Sequence, residues 1–243
     1  MSNRIRRFAA LPPAALVILA LALVLGTTAP ARSVPDATAL KPHAGKVPKP
    51  DTKFDPIPYG KARKRQMANY SNRHYGKRSW RLARPDVIVL HYTATSTYSP
   101  VFNTFAANSP SLGERPGVCS QFVVEKDGTI HQLTRLSVRC RHTIGLNHRS
   151  VGIEMVQQSL ASKHGSDRAI LDRKKQIRSA TKLTAWLKQR YRIKMQDVIG
   201  HAMANQSPKF KDLEGWKNDH SDWLGADVRT FRKLVTKVIH KHR

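Results

Sequence analysis

Acidic residues are scarce in this chain: 16 Asp and Glu stand against 43 Lys and Arg over 243 residues, a formal net charge of +27. Such an excess sets up a long-range, salt-sensitive field that attracts polyanions. Cysteine is scarcer still, with only Cys119 and Cys140. Two thiols alone make a poor structural zinc site. In an oxidising compartment they could pair, and the sequence leaves that open because it does not fix the separation of their Cα atoms. No zinc-finger or RNP-like pattern occurs, and the basic residues are scattered along the chain instead of being gathered on one recognition helix. A basic nucleic-acid-binding protein is therefore supported by charge alone, and any protein this basic shows salt-sensitive polyanion binding. No specific nucleic acid is expected as a partner.

What is present begins with a targeting pattern. Arg4, Arg6 and Arg7 precede an apolar stretch from Ala14 to Leu25, and Ala29-Pro-Ala31 offers small residues where a signal peptidase reads. Residues 1–31 read as a signal peptide and the protein as secreted or cell-wall associated. The alternative is an uncleaved anchor, because Phe8 to Gly26 is almost long enough to span a bilayer, although Pro12 and Pro13 shorten its apolar core. Only in that case is the membrane a partner. Cleavage removes three positive charges and no negative ones, so the mature chain keeps +24. Outside a cell the abundant polyanions are wall polymers and membrane surfaces.

Residues 32–59 carry Pro35, Pro42, Pro48, Pro50, Pro56 and Pro58 with little apolar periodicity, and read as an extended linker. Residues 60–84 are a basic extension, in which Met67, Ala68 and Tyr70 give a short helix a narrow apolar stripe. Its charge suits either an anionic wall polymer or a solvated helix face. The compact domain is placed at 85–243. Asp86 to Leu90 is a buried-type strand, Gln121 to Leu133 a hairpin turning at Lys126-Asp127-Gly128, and Ser150 to Val156 a further strand. Ile170, Ile177, Leu183 and Leu187 predict one helix from about Asp167 to Arg190. Asp197 to Gly200 is a short strand, and Ala226 to about Lys241 a terminal helix. Strands alternating with helices give an α/β domain, a central mixed β-sheet flanked by helices.

Three polar residues close apolar runs: His91 after Asp86–Leu90, Glu154 after Ser150–Ile153, and His201 after Asp197–Gly200. Strand ends lie at the rim of a sheet, where loops build a cleft, so residues distant in sequence can converge there. Lys217-Asn-Asp219 follows shortly after. Nitrogen and oxygen ligands, a carboxylate base and a cation are what a mononuclear zinc hydrolase requires. An isolated histidine is weak evidence, and His148, His164, His240 and His242 read as bystanders.

These pieces carry a resemblance. The stretch from about Pro85 to Trp223 resembles the zinc-dependent N-acetylmuramoyl-L-alanine amidases, the family shared by bacterial wall-recycling enzymes, phage amidases and animal peptidoglycan recognition proteins. It rests on His91-Tyr-Thr-Ala-Thr95, Cys119-Ser-Gln-Phe-Val-Val-Glu-Lys-Asp-Gly-Thr-Ile130, Cys140-Arg-His142-Thr-Ile-Gly145, Asn147-His-Arg-Ser-Val-Gly-Ile-Glu154, Ile199-Gly-His201 and Lys217-Asn-Asp219. The resemblance implies a zinc-bearing groove at the sheet rim, with His91, His201 and Asp219 as metal ligands and a fourth position for water. It implies Glu154 as the proton carrier, Lys217 as the stabiliser of the developing oxyanion and His142 as a substrate contact. The implied reaction is hydrolysis of the amide between N-acetylmuramic acid and L-alanine in peptidoglycan, by an exported enzyme with Zn2+ as its only cofactor. A second expectation is a module that binds peptidoglycan without cutting it, as some relatives do where a ligand is missing. One departure stands out. Many relatives follow the aspartate with Pro-Gly, whereas this chain has Asp219-His220-Ser221-Asp222-Trp223, which makes His220 a rival third ligand. The Lys-x-Asp spacing favours Asp219.

Overall fold

Short apolar runs form strands and longer amphipathic ones form helices, in the order β1 (Lys53–Phe54), α1 (Lys61–Tyr75), β2 (Val87–Tyr92), α2 (Tyr98–Ala107), β3 (Phe122–Val124), β4 (Ile130–Gln132), β5 (Ser150–Met155), α3 (Gly165–Asp172), α4 (Lys174–Tyr191), β6 (Val198–Gly200) and α5 (Gly225–Lys241). The structure is a computed structural model that describes residues 46–242. The segment read as a signal peptide or anchor, and the first half of the proline-rich segment after it, lie outside the described residues. Among the described residues no helix is long and apolar enough to cross a membrane.

The strands form one mixed six-stranded sheet in the order β1-β4-β3-β5-β2-β6, in which β3 and β4 are the antiparallel pair and the other neighbours are parallel. Central strands β2 and β5 are covered on both faces, which is why VIVL and SVGI read as nearly continuous apolar runs. Their side chains alternate between two layers. Ile88, Leu90, Val151 and Ile153 point to the main core, where Leu183, Leu187, Phe231 and Val235 of α4 and α5 pack. Val87 and Val89 belong to a smaller cluster on the other face with Leu146 and Ile199. With a side-chain period of two, His91 continues the Val87–Val89 face beyond the core. Its direct register partner across the sheet is Glu154, so the two side chains share that face.

Three elements differ from their sequence reading. Residues 167–190 form two helices, because Arg173 leaves the helical region (φ −85°, ψ 91°) and sends its guanidinium to Gln157 Oε1 at 2.8 Å. The apolar spacing survives this break, since Ile170 and Leu183 are both fully buried in one core. Part of the expected linker is sheet edge: Lys53 and Phe54 pair with His131 and Gln132, and Val47 and Ile57 are buried. Extended, proline-bearing backbone suits an edge strand, where a missing donor costs nothing. Helix α2, with Pro100 in its first turn, lacked a clear apolar period and escaped notice.

Helix α1 packs through the predicted stripe, with Met67 and Tyr70 fully buried. Its Arg63 is buried too and donates to the carbonyls of Phe105 at 2.6 Å, Gly117 at 3.3 Å and Val118 at 3.1 Å. The basic extension is thus part of the domain's packing. Cys119 and Cys140 form a disulfide, their Cα atoms 5.1 Å apart.

Candidate metal centre and active-site groove

The carboxyl ends of β2, β5 and β6 open into a groove of about 510 Å³, lined by His91, Phe105, Cys119, His142, Glu154, His201, His220 and Asp222 among others. His91 is the penultimate residue of β2, and His201 begins a short 3₁₀ turn after β6. Beside them stands Asp222. His91 Nδ1 is 3.1 Å from His201 Nδ1 and 3.3 Å from Asp222 Oδ2, while His201 Nδ1 is 3.2 Å from Asp222 Oδ1. All three residues are buried. Donor atoms about 2.0–2.1 Å from a tetrahedral ion lie roughly 3.3–3.4 Å from one another. The two imidazole nitrogens come close to that spacing with each other and each with one oxygen of the Asp222 carboxylate, and two imidazoles with a carboxylate are a donor set suited to zinc.

Ionisation favours the same use. Burial lowers the His91 pKa to about 4, helped by His201 and opposed by Asp222, so the ring is neutral. For Asp222, burial alone would raise the pKa, but the adjacent His201 and His91 rings outweigh it and hold the carboxyl below its ordinary range. Neutral imidazole and ionised carboxylate are the states a metal binds. His201 is oriented from behind: its Nε2–H donates to Asn218 Oδ1 at 3.0 Å, leaving Nδ1 bare toward the site. The Asn218 amide cannot flip freely, because its Nδ2 donates to Ile144 O and Asn205 Oδ1, each at 3.0 Å.

Glu154 is buried beside this set, and burial followed by repulsion from Asp222 pushes its pKa up to about 8. Its Oε2 has no hydrogen-bond partner. A buried carboxyl with a spare oxygen and a pKa near neutrality is a competent proton carrier.

The loop residues do not take the places the sequence suggested. Asp219 borders the groove, but its side chain is 97% exposed and its carboxylate lies 3.8 Å from His220 Nε2. Asp222, three residues on, faces the two histidines. Lys217 is exposed, with its ammonium 4.6 Å from the centroid of the Phe210 ring, and does not line the groove. His220 does line it, its ring stacked on His201 with centroids 4.2 Å apart. His142 also lines the groove, but both of its ring nitrogens are engaged within the protein, Nδ1 by His91 and Thr143, Nε2 by Ser150.

Trp223 accounts for the position of Asp222. The indole is fully buried against Phe231, and its N–H donates to the carbonyl of His91 at 3.2 Å. The backbone N–H groups of Trp223 and Leu224 donate to the Asp167 carboxylate at 3.1 and 2.9 Å, and Ala202 N–H donates to Asp222 O at 2.9 Å. Trp223 is held at φ +60°, a conformation that costs a non-glycine residue of order 1 kcal/mol. Gly200 makes room, since a Cβ there would stand 1.8 Å from Trp223 O. The segment is pinned at Trp223, and Asp222 is the polar side chain next to the pin. The sequence did hold this signal: a tryptophan just before the terminal helix, preceded by a carboxylate.

A family profile described as N-acetylmuramoyl-L-alanine amidase matches residues 81–222, more than half of the chain. No curated protein sequence matches it. Among solved structures it is similar to the Staphylococcus aureus hydrolase AmiA in complex with its ligand, at 16% identity and a TM-score of 0.49, covering 80% of this chain and 84% of that one. It is also similar to the Clostridium intestinale endolysin LysCS, an N-acetylmuramoyl-L-alanine amidase (22%, TM-score 0.38, 51% and 73% covered). A third likeness is to AmiD of E. coli in complex with anhydro-N-acetylmuramic acid-L-Ala-D-gamma-Glu-L-Lys (24%, TM-score 0.39, 49% of each chain). By the extent of the profile match, the chain belongs to the N-acetylmuramoyl-L-alanine amidase family.

Proposed function

We propose that this protein is an exported zinc amidase that hydrolyses the bond between the lactyl group of N-acetylmuramic acid and the L-alanine of the peptide stem. One observation carries the reading: Nδ1 of His91 and Nδ1 of His201 lie 3.1 Å apart, each within 3.3 Å of one oxygen of the Asp222 carboxylate, in a groove that also holds an unpartnered, buried carboxyl. His91, His201 and Asp222 would hold the zinc, which would supply Lewis acidity toward the scissile carbonyl and lower the pKa of water to about 7. Glu154 accepts a proton from the attacking water and returns it to the departing amine, a role suited to a buried carboxyl with an unpartnered Oε2 beside the triad. His220 stands two residues before Asp222, the cation-x-carboxylate spacing expected of Lys217 and Asp219, and its ring borders the groove. We assign it the hydrogen bond to the carbonyl oxygen as negative charge develops there. The disulfide and the signal-like first 31 residues accord with export, and the net charge of +27 with the anionic polymers of a cell wall.

The test is to incubate the purified protein with isolated peptidoglycan, with and without chelator, and identify the soluble products by mass. Stem peptides with a free L-alanine amino terminus, released only while zinc is available, are the expected outcome. Zinc binding without release of stems would favour a binding module, and hydrolysis unaffected by chelation would refute the metal assignment.

A further inference from the structure

Behind the metal triad, polar groups on one face of β5 form a directional chain. Ser150, Gly152 and Glu154 alternate onto the face that His91 shares. Ser150 Oγ lies 2.8 Å from Leu146 O, which can only accept, so the hydroxyl donates there. Its oxygen is then left to accept from His142 Nε2 at 3.2 Å. Among the described residues no carboxylate contacts the His142 ring, and a neutral imidazole carrying its proton on Nε2 has a bare Nδ1. That Nδ1 is 3.0 Å from His91 Nε2 and 2.9 Å from Thr143 Oγ1, which itself lies 3.3 Å from His91 Nε2. If His91 Nε2 were also bare, two imidazole acceptors 3.0 Å apart would share a single hydroxyl proton. The chain closes only when His91 donates from Nε2.

We infer that His142 is a positioning residue whose bare Nδ1 holds His91 in the Nε2–H tautomer and so keeps Nδ1 of His91 free to ligate the metal. The effect opposes a real competitor. Asp222 Oδ2, 3.3 Å from His91 Nδ1, would draw the proton onto that atom and block its lone pair. Gly152 is part of the device, since a Cβ there would stand 2.9 Å from His142 Cγ and 3.0 Å from its Nδ1. The loop is braced from α1: Asn147 Oδ1 accepts the N–H groups of His142 at 2.8 Å and Thr143 at 2.7 Å, while its Nδ2 donates to the hydroxyls of Tyr70 at 3.3 Å and Tyr75 at 3.1 Å. His142 thus acts through a ligand, where the resemblance alone implied a contact with substrate.

This inference rests on the zinc reading above, and chelator competition on the purified protein separates the two. His142→Ala should bind zinc about 10–100-fold more weakly than wild type, the usual effect of removing the group that orients a ligand. His142→Asn places Oδ1 close to the former Nδ1 and should recover affinity to within about threefold, a rescue that lost packing would not give. Gly152→Ala keeps every polar group but displaces the ring, and should weaken zinc about tenfold. Alanine and wild type binding alike, or asparagine binding no better than alanine, would overturn the inference. If His142→Ala does not fold by circular dichroism, unchanged affinity in Gly152→Ala overturns it instead. A wild type without zinc affinity defeats both readings, whereas a wild type that binds zinc with unaffected variants defeats only this one.

Discussion

His91 and Glu154 sit at the ends of neighbouring central strands, whereas Asp222 and His220 lie in a stretch, Lys217 to Asp222, that has no regular structure. On the strands, position follows from the ladder: once Val87 pairs with Ser150, His91 must stand opposite Glu154. In the loop no such rule applies, and four ionisable residues within six positions compete for one place. Trp223 decides among them. A side chain on a strand is placed by its own register, while a side chain on a loop is placed by the buried anchor beside it.

The largest expected effect breaks the strand side. Glu154→Gln keeps shape and removes the proton carrier, so stem release should fall about 10²–10⁴-fold while zinc affinity stays within about threefold. The same variant has a signature in the metal-free protein. Burial raises the folded pKa to about 8, so between the ordinary carboxylate range and pH 8 the folded chain holds a proton that the unfolded chain has released. Folded stability therefore declines as pH rises through that window. Glutamine abolishes that part of the decline, and metal-free Glu154→Gln should melt above wild type at pH 8.5, with the gap closing toward pH 5. A gap independent of pH would locate the effect in packing instead of charge.

On the loop side, Asp222→Ala should weaken zinc by about a hundredfold. A zinc site worth roughly 10–16 kcal/mol over four ligands gives about 3 kcal/mol for each. Asp219→Ala, on an exposed carboxylate, should stay within about twofold of wild type. If the two results were reversed, the loop would rearrange around the metal and the Lys-x-Asp spacing would hold after all. The anchor is tested next. Trp223→Ala and Phe231→Ala each empty a fully buried aromatic site and should cost about 3–5 kcal/mol, read as a fall in melting temperature. Only Trp223→Ala should also weaken zinc, by about tenfold, because only Trp223 ties the loop to the His91 carbonyl. Equal zinc affinity in both would mean that Asp222 keeps its place without the anchor.

The sequence showed most of what the ladder controls. The strands around His91, Glu154 and His201, the hairpin and the terminal helix are local patterns whose apolar periods state which face is buried. It showed less of what depends on contacts distant along the chain. Whether Lys53 and Phe54 join the sheet depends on a free edge at β4, more than 70 residues later. Asn218, Asn147 and Ser150 look like ordinary polar residues until their partners are seen. Asp222 lies one residue from the buried Trp223, whereas the Lys217-Asn-Asp219 spacing points to Asp219.

The smallest expected effect concerns Lys217, and it sharpens the same contrast. Its ammonium stacks on Phe210, at the far end of the stretch from the anchor, and an exposed cation–π contact is worth about 0.5–1 kcal/mol of local stability. Lys217→Met retains most of the aliphatic packing and should change the rate of stem release by less than about threefold. His220→Ala should cost about 10²-fold in kcat with little change in KM, as removal of a donor to a developing oxyanion does. The pair is informative because the two residues hold the same relation in sequence, two positions before a carboxylate, and differ in their distance from Trp223. A hundredfold loss in Lys217→Met with a silent His220→Ala would mean that substrate draws the loop through by three residues. In that event neither spacing nor the resting anchor specifies the loop, and the comparison between strand and loop becomes one between a fixed ligand and an induced one.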